Sequence, residues 1–285
     1  VSADDRRWFL FNASPDLRTQ LAATPQLWPQ GWQSEPAGPG VPHGAVRQTP
    51  IQAVVLTDAE LDHTLGLLTL REGRCLRLYA TAWVHRAISE WNPLLRVLSA
   101  YCEVDWQPVR LGEQVPLCGS DGMDSGLRLE AFSAAGTKTV AYASQTDIVT
   151  DAADDALASE AQVGYRITEA HTDHTLVYLP ALQSWTAAIQ DQLRDCTAVL
   201  LDGTCWEDDE LTQLGIAGKT ALGMGHLPIG GPDGSLERLA ALAAPHKVYI
   251  HLNNTNPLLD EEAPQRRLVR MRGIEVAYDG LELAL

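Results

Sequence analysis

The chain has 285 residues, 45% of them hydrophobic, and a formal net charge of −16. That length supports one large core, and the acidity excludes a backbone-reading nucleic-acid binder, which needs a basic footprint on phosphates. A small anionic substrate is not excluded, since a pocket can differ in sign from the surface around it. No run of roughly 18 apolar residues offers a bilayer span. The five cysteines, Cys75, Cys102, Cys118, Cys196 and Cys205, contain no CxxC pair. They read as mostly reduced and structural, so the expected location is the cytoplasm.

In chain order, "VSADDRRWFLFNA" reads as a turn around Asp4 and Asp5 leading straight into a core strand, as though the first half of a hairpin were missing. Ser14 and Pro15 then read as N-cap and first helical position. Proline, glycine and tryptophan crowd residues 25 to 44, predicting a surface loop. "IQAVVLT" is the next strand, "DHTLGLLTLRE" begins a helix, and "CLRLYAT" is a short strand. "AWVHRAISEWNPLLRVLSAY" is helical with a break at Pro93. "VDWQPV", "LRLEAFSA" and "KTVAYA" read as sheet, and "TDIVTDAADDALASEA" as a loop or short helix. "QVGYRITEAHTDHTLVYLP" is hairpin-like around His171 and His174. From "WTAAIQDQLRD" to "IEVAYDG" strands and helices alternate, as in α/β layers. The pattern predicts two packed sheets with helices outside them, and ligands at loops beyond strand ends.

Four polar clusters follow apolar, strand-like runs. The first is Asp58, Glu60, Asp62 and His63; the second ends "AVLLD" at Asp202; the third is "GMGHLPIGG" with His226; the fourth is "KVYIHLNN" with His251. A lone strand-end Asp commonly caps a helix or fills a turn, so Asp202 by itself carries little. Carboxylates and imidazoles converging from several strand ends are costly to assemble unless a cation balances them. A set of Asp62, His63, Asp202 and His251 is mixed oxygen and nitrogen without thiolate, which suits iron, manganese or zinc. Two histidines and one carboxylate with open positions is a non-haem Fe(II) arrangement. His226, between glycines, reads as an acid/base or substrate-orienting group, or as part of a simple loop. His171 and His174 are as compatible with an exposed turn as with a zinc pair.

"VVLTDAELDHTLGLLTLRE", "NASPDLRTQL", "LLDGTCWEDDEL", "MGHLPIGGPDGSLERL" and "VYIHLNNTNPLLDEE", in this order, resemble the PqqB family of pyrroloquinoline quinone (PQQ) biosynthesis, within the metallo-β-lactamase fold superfamily. The resemblance implies one α/β domain over residues 1–285, an αββα sandwich of two mixed β-sheets flanked by helices. It also implies an N-terminal first strand and a CxCxxC cluster holding a structural zinc, which this chain is expected to lack. The superfamily signature HxHxDH stands here as Asp58-Ala59-Glu60-Leu61-Asp62-His63, with both leading histidines replaced by carboxylates. The position of the bridging aspartate of hydrolytic relatives is Ala181 in "YLPAL". Those departures speak against a two-zinc hydrolase.

The function implied is iron- and O2-dependent hydroxylation of the tyrosine-derived ring of a crosslinked Glu–Tyr precursor of PQQ. Metal ligands would be Asp62, His63, Asp202 and His251, with Asp58, Glu60 and His226 in catalytic or supporting roles. Fe(II) is the expected metal and Zn(II) the alternative. The partners are the amino-acid-derived precursor and O2, with no nucleic acid or membrane, and a homodimer is compatible with an enzyme of this size. A non-catalytic carrier of PQQ or its precursor and a metallohydrolase stay open as alternatives.

Overall fold

A computed structural model of the chain describes residues 1–29, 49–119, 121–134, 136, 140–145, 157–216 and 218–285. The loop expected over 25 to 44 lies mostly outside the described residues, as does most of the acidic stretch 146–161. Two compact units are present. The first comprises Val1–Val109, Pro116–Leu127 and Val140–Ile148; the second comprises Arg110–Val115, Arg128–Thr139 and Val149–Leu285.

In the first unit, strands β1 (Trp8–Phe11), β2 (Ile51–Val55), β3 (Cys75–Ala80) and β4 (Glu103–Pro108) form a sheet in that order. Each pairing is parallel. A central parallel strand is covered on both faces, which is why β2 is an almost unbroken apolar run with Ala53, Val54 and Val55 buried. Helix α1 (Leu17–Ala23) starts later than expected: Asp16 is its N-cap without a side-chain bond. The Ser14 hydroxyl instead receives the Asp16 N–H at 3.2 Å, so the serine builds the turn before the helix. Helix α2 (Leu61–Thr64) continues as a 3-10 turn, Leu65–Leu70. Helix α3 (Ala82–Arg86) is capped by Thr81, which accepts from the Val84 N–H, and runs into a π turn over Ala87–Trp91. The chain breaks at Asn92–Pro93 before α4 (Leu94–Leu98), as the proline requires.

The larger sheet has seven strands: β5 (Gln114–Cys118), β6 (Asp124–Ser133), β7 (Val163–Glu169), β8 (Thr175–Leu179), β9 (Ala198–Asp202), β10 (His246–Ile250) and β11 (Glu275–Val276), paired in sequence order from β5 to β11. The β7–β8 hairpin is antiparallel, and β8 through β11 are parallel neighbours. Strand β5 contains Pro116 and has no counterpart among the sequence expectations. "KTVAYA" is corrected: of its described residues, 140–143, the last three belong to a 3-10 turn, Ala141–Gln145, and none to a strand. Helices α5 (Ala187–Gln192), α6 (Glu210–Gln213), α7 (Ser235–Ala240) and α8 (Pro264–Met271) complete the second unit. Val177, Leu179, Val199, Leu201 and Tyr249 of the strands pack with Ile189, Leu236, Leu239 and Val269 of the helices. Each such fully buried aliphatic side chain contributes roughly 1.5–3 kcal/mol, and this core fixes the strand ends that carry polar groups.

Candidate functional site

Polar groups gather at the carboxyl ends of parallel strands in each unit. In the first, Asn12 follows β1 in the left-handed region at φ 60°, a conformation asparagine tolerates. Its amide spans Thr57 after β2, donating to the hydroxyl at 2.9 Å and accepting the Thr57 N–H at 3.0 Å. The Thr57 hydroxyl donates to Asp58 Oδ2 at 2.8 Å, and the Glu60 N–H donates to Asp58 Oδ1 at 3.0 Å. His63 Nδ1 lies 2.8 Å from both oxygens of the same carboxylate. Ala13 N–H donates to the His63 carbonyl and Gly66 N–H to the Ala13 carbonyl, which ties α2 to the end of β1. Gly66 is required there: an added Cβ would collide with the Ser14 carbonyl oxygen. The Tyr142 hydroxyl donates to the Ala59 carbonyl at 2.7 Å and secures the loop from the other side.

Burial alone would raise the Asp58 carboxyl, but the charge and hydrogen bond of His63, with the Glu60 N–H and Thr57 hydroxyl, hold it below the ordinary carboxylate value. Burial would lower His63, yet the charge and hydrogen bond of Asp58, with the charges of Asp62 and Glu60, lift it to about 9. Asp58 is therefore the group that orients His63. Asp62 is exposed in the first turn of α2, where an acidic side chain suits the helix dipole, and Glu60 is half-buried at its N-cap.

The second unit repeats this device with more parts. Ile250 of β10 stands opposite Asp202 of β9, so residues just past both strand ends become neighbours. Asp202 is 1% exposed and accepts from Leu182 N–H (2.9 Å) and His226 Nδ1 (2.8 Å) at Oδ2. At Oδ1 it accepts from Thr204 N–H (3.0 Å) and the Thr204 hydroxyl (2.7 Å). All four lone-pair directions of the carboxylate thus have a donor. Thr204 Oγ1 also lies 2.7 Å from His251 Nδ1 and 3.0 Å from His226 Nδ1. The two imidazoles stack, with centroids 5.3 Å apart.

His251 adopts φ 57°, a left-handed conformation that returns its ring toward Thr204. The loop behind it is held by Asn253 N–H on the Thr204 carbonyl and by the Asn256 amide on the Gly203 carbonyl. Gly225, at φ 91°, turns the chain into His226. Burial pushes Asp202 up, but the charge and hydrogen bond of His226, the charge of His251 and the Thr204 hydroxyl hold it below the ordinary carboxylate value.

Asp202, His226 and His251 offer ligand atoms within 4.8 Å of one another. Imidazole and carboxylate without thiolate is a donor set that fits a first-row divalent cation. Cys205 is in neither cluster of potential ligands found among the described residues; burial and then the charges of Glu210, Asp202 and Asp208 push its thiol up to about 12. All five cysteines are free. The four ligands expected from the sequence divide between the units, Asp62 and His63 in the first, Asp202 and His251 in the second. His226, assigned from the sequence to acid/base work, is brought into the cluster with Asp202 and His251. His171 and His174 lie in the exposed β7–β8 turn, outside the clusters of potential ligands found among the described residues. Thr204 escaped sequence reasoning; its only signal is a hydroxyl two residues past a strand-end aspartate.

The family model of the beta-lactamase superfamily domain matches residues 7–252. Across its whole length the chain is 39% identical to a coenzyme PQQ synthesis protein B of Xanthomonas axonopodis pv. citri, and it covers 86% of that protein. The chain belongs to the PqqB family. A coenzyme PQQ synthesis protein B of Azoarcus sp. is 38% identical over 287 residues, again with 86% covered. The crystal structure of Zn(2+)-bound PqqB from Methylobacterium extorquens superposes with a TM-score of 0.81 at 35% identity, covering 100% of this chain and 86% of that one. A diphosphatase from the PhnP family, 20% identical with a TM-score of 0.57 over 98% of this chain and 80% of its own, shares the fold alone. The PqqB fold is the αββα sandwich that the sequence motifs implied. Among the described residues no helix is long and apolar enough to cross a membrane.

Proposed function

We propose that this protein acts in PQQ biosynthesis as an iron- and O2-dependent hydroxylase of the tyrosine-derived ring of a crosslinked Glu–Tyr precursor. The observation that carries the reading is the donor set of the second unit: two imidazoles backed by a buried carboxylate, with Ala181 where hydrolytic relatives are expected to place a bridging aspartate. The names of the PqqB relatives support the pathway. A redox-active divalent ion, Fe(II) first and Zn(II) as the inert alternative, would supply O2 activation when bound.

His226 and His251 are the residues that hold it. Asp202, expected from the sequence to be a direct ligand, is read as the group behind the two imidazoles, because its lone pairs are already engaged. In the first unit, Asp58 keeps His63 oriented. In the balanced reaction a ring C–H, O2, two electrons from an external reductant and two protons give a ring C–OH and water.

The test is anaerobic reconstitution with Fe(II), then O2, the precursor and a reductant, followed by mass spectrometry beside His251→Ala. The expected result is a catalytic gain of one oxygen atom, lost in the variant. Tight precursor binding with confirmed iron loading and no oxygen gain would overturn the hydroxylase in favour of a carrier, and a hydrolysed product would overturn it in favour of a metallohydrolase.

A further inference from the structure

The Thr204 hydroxyl has one proton and four polar neighbours. They are Asp202 Oδ1 at 2.7 Å, His251 Nδ1 at 2.7 Å, His226 Nδ1 at 3.0 Å and the His251 carbonyl oxygen at 3.1 Å. The carboxylate and the carbonyl can only accept. If the hydroxyl donated to His251 Nδ1, its own lone pair would face the carboxylate oxygen at 2.7 Å with no proton between them. The proton therefore goes to Asp202, a charge-assisted bond, and His251 Nδ1 must be the donor to Oγ1. His226 Nδ1, 2.8 Å from Asp202 Oδ2, must donate for the same reason.

We infer that Thr204 is a positioning residue that, with Asp202, locks the neutral imidazoles of His226 and His251 in one tautomer, Nδ1–H, so that Nε2 of both is the nitrogen available to a divalent cation. A single hydroxyl thus extends one carboxylate's orienting effect to a second histidine it does not itself bond, since His251 Nδ1 is 3.9 Å from Asp202 Oδ1. The tautomer assignment stands on hydrogen-bond donors and acceptors alone. Its consequence for metal binding rests on the reading of this cluster as a metal site, and the two are measured separately.

The full chain, labelled with 15N-histidine and free of metal, is studied by long-range 1H–15N correlation on the alkaline side of the imidazole titration. Wild type is expected to show His226 and His251 as single Nδ1–H tautomers. Thr204→Ser is expected to retain this, and Thr204→Val to return His251 to a tautomer mixture. Zn(II) competition against a chelator is then expected to show about 10- to 100-fold weaker binding for Thr204→Val and a change within about threefold for Thr204→Ser. An Nε2–H tautomer at either histidine of the wild-type protein overturns the proposal, whatever the variants do. Equal loss in Thr204→Ser and Thr204→Val also overturns it, because the hydroxyl would then not be the cause. The correct tautomers with no oxygenase activity would leave the inference standing and defeat only the hydroxylase reading.

Discussion

Asp58 in the first unit and Asp202 in the second are the same device at two levels of difficulty. Each is a buried carboxylate at the end of a parallel strand, filled with donors and holding an imidazole by Nδ1. Asp58 serves one histidine five residues away, within a single strand-to-helix turn. Asp202 serves His226 directly, 24 residues on, while Thr204 reaches His251 a further 47 residues along the chain from itself. The local version is tied in place by the Asn12–Thr57 bridge and the bonds between Ala13 and α2. The long-range version depends on three parallel strands keeping register, and it gains a second imidazole in return.

The sharpest way to break the comparison is to remove each carboxylate. Asp202→Ala orphans the buried Leu182 and Thr204 N–H groups as well as His226, and is expected to lower unfolding free energy by about 3–5 kcal/mol in urea titration. Asp58→Ala leaves a half-buried Glu60 N–H, one histidine and the Thr57 hydroxyl, which keeps Asn12 Oδ1 as an acceptor, and should cost less, about 2–3 kcal/mol. Equal losses would show that the extra partners of Asp202 contribute nothing.

Titration separates the units next. His63 rises from 6.5 to about 9 on folding. Its contribution is fully present below pH about 6.5, where folded and unfolded chains are both protonated, and is lost as pH climbs through about 9. For the metal-free protein this amounts to on the order of 3 kcal/mol. His63→Asn should flatten the alkaline limb of a stability-against-pH curve measured by denaturant unfolding. Asp58 and Asp202 are both depressed, so their contributions are present above the ordinary carboxylate value and fade as pH falls below it.

Gly66→Ala probes the first unit alone. With the Ser14 carbonyl oxygen in the way of the new carbon, a loss of about 1–3 kcal/mol is expected in thermal unfolding. Zn(II) affinity of the second unit's cluster should be unchanged if the two devices are independent. The smallest effect belongs to Cys205→Ala, a small cavity costing about 1 kcal/mol with no change in Zn(II) affinity. A large fall in affinity would mean that the thiol, despite its raised pKa, is a ligand.

How much of this was legible follows from the same contrast. The strand "IQAVVL", the polar residues after it and the helix beyond lie on one continuous segment, so Asp58, Glu60, Asp62 and His63 announced a site by proximity in the chain. The functional division among them was not legible, because whether a carboxylate faces an imidazole or solvent depends on Asn12, Gly66 and Tyr142 from other segments. In the second unit, His226 and His251 stood out as histidines after apolar runs, but nothing in the chain order joined them to each other or to Asp202. The Ser14 cap and the "KTVAYA" strand misled because local propensity yields to the turn and loop geometry around it.

By itself the sequence determined the alternation of strands and helices and the residue types that could bind a cation, since these rest on hydrophobic period and side-chain chemistry. Its ordered motifs also carried the family. Only the tertiary structure decided that Asp202 is enclosed by donors, that His226 belongs beside His251, and that Thr204 joins them. Those are consequences of the β9–β10 register and of two left-handed backbone turns, at Gly225 and His251. Hydrogen bonds act over about 3 Å, and only folding brings residues so far apart in the chain within that distance.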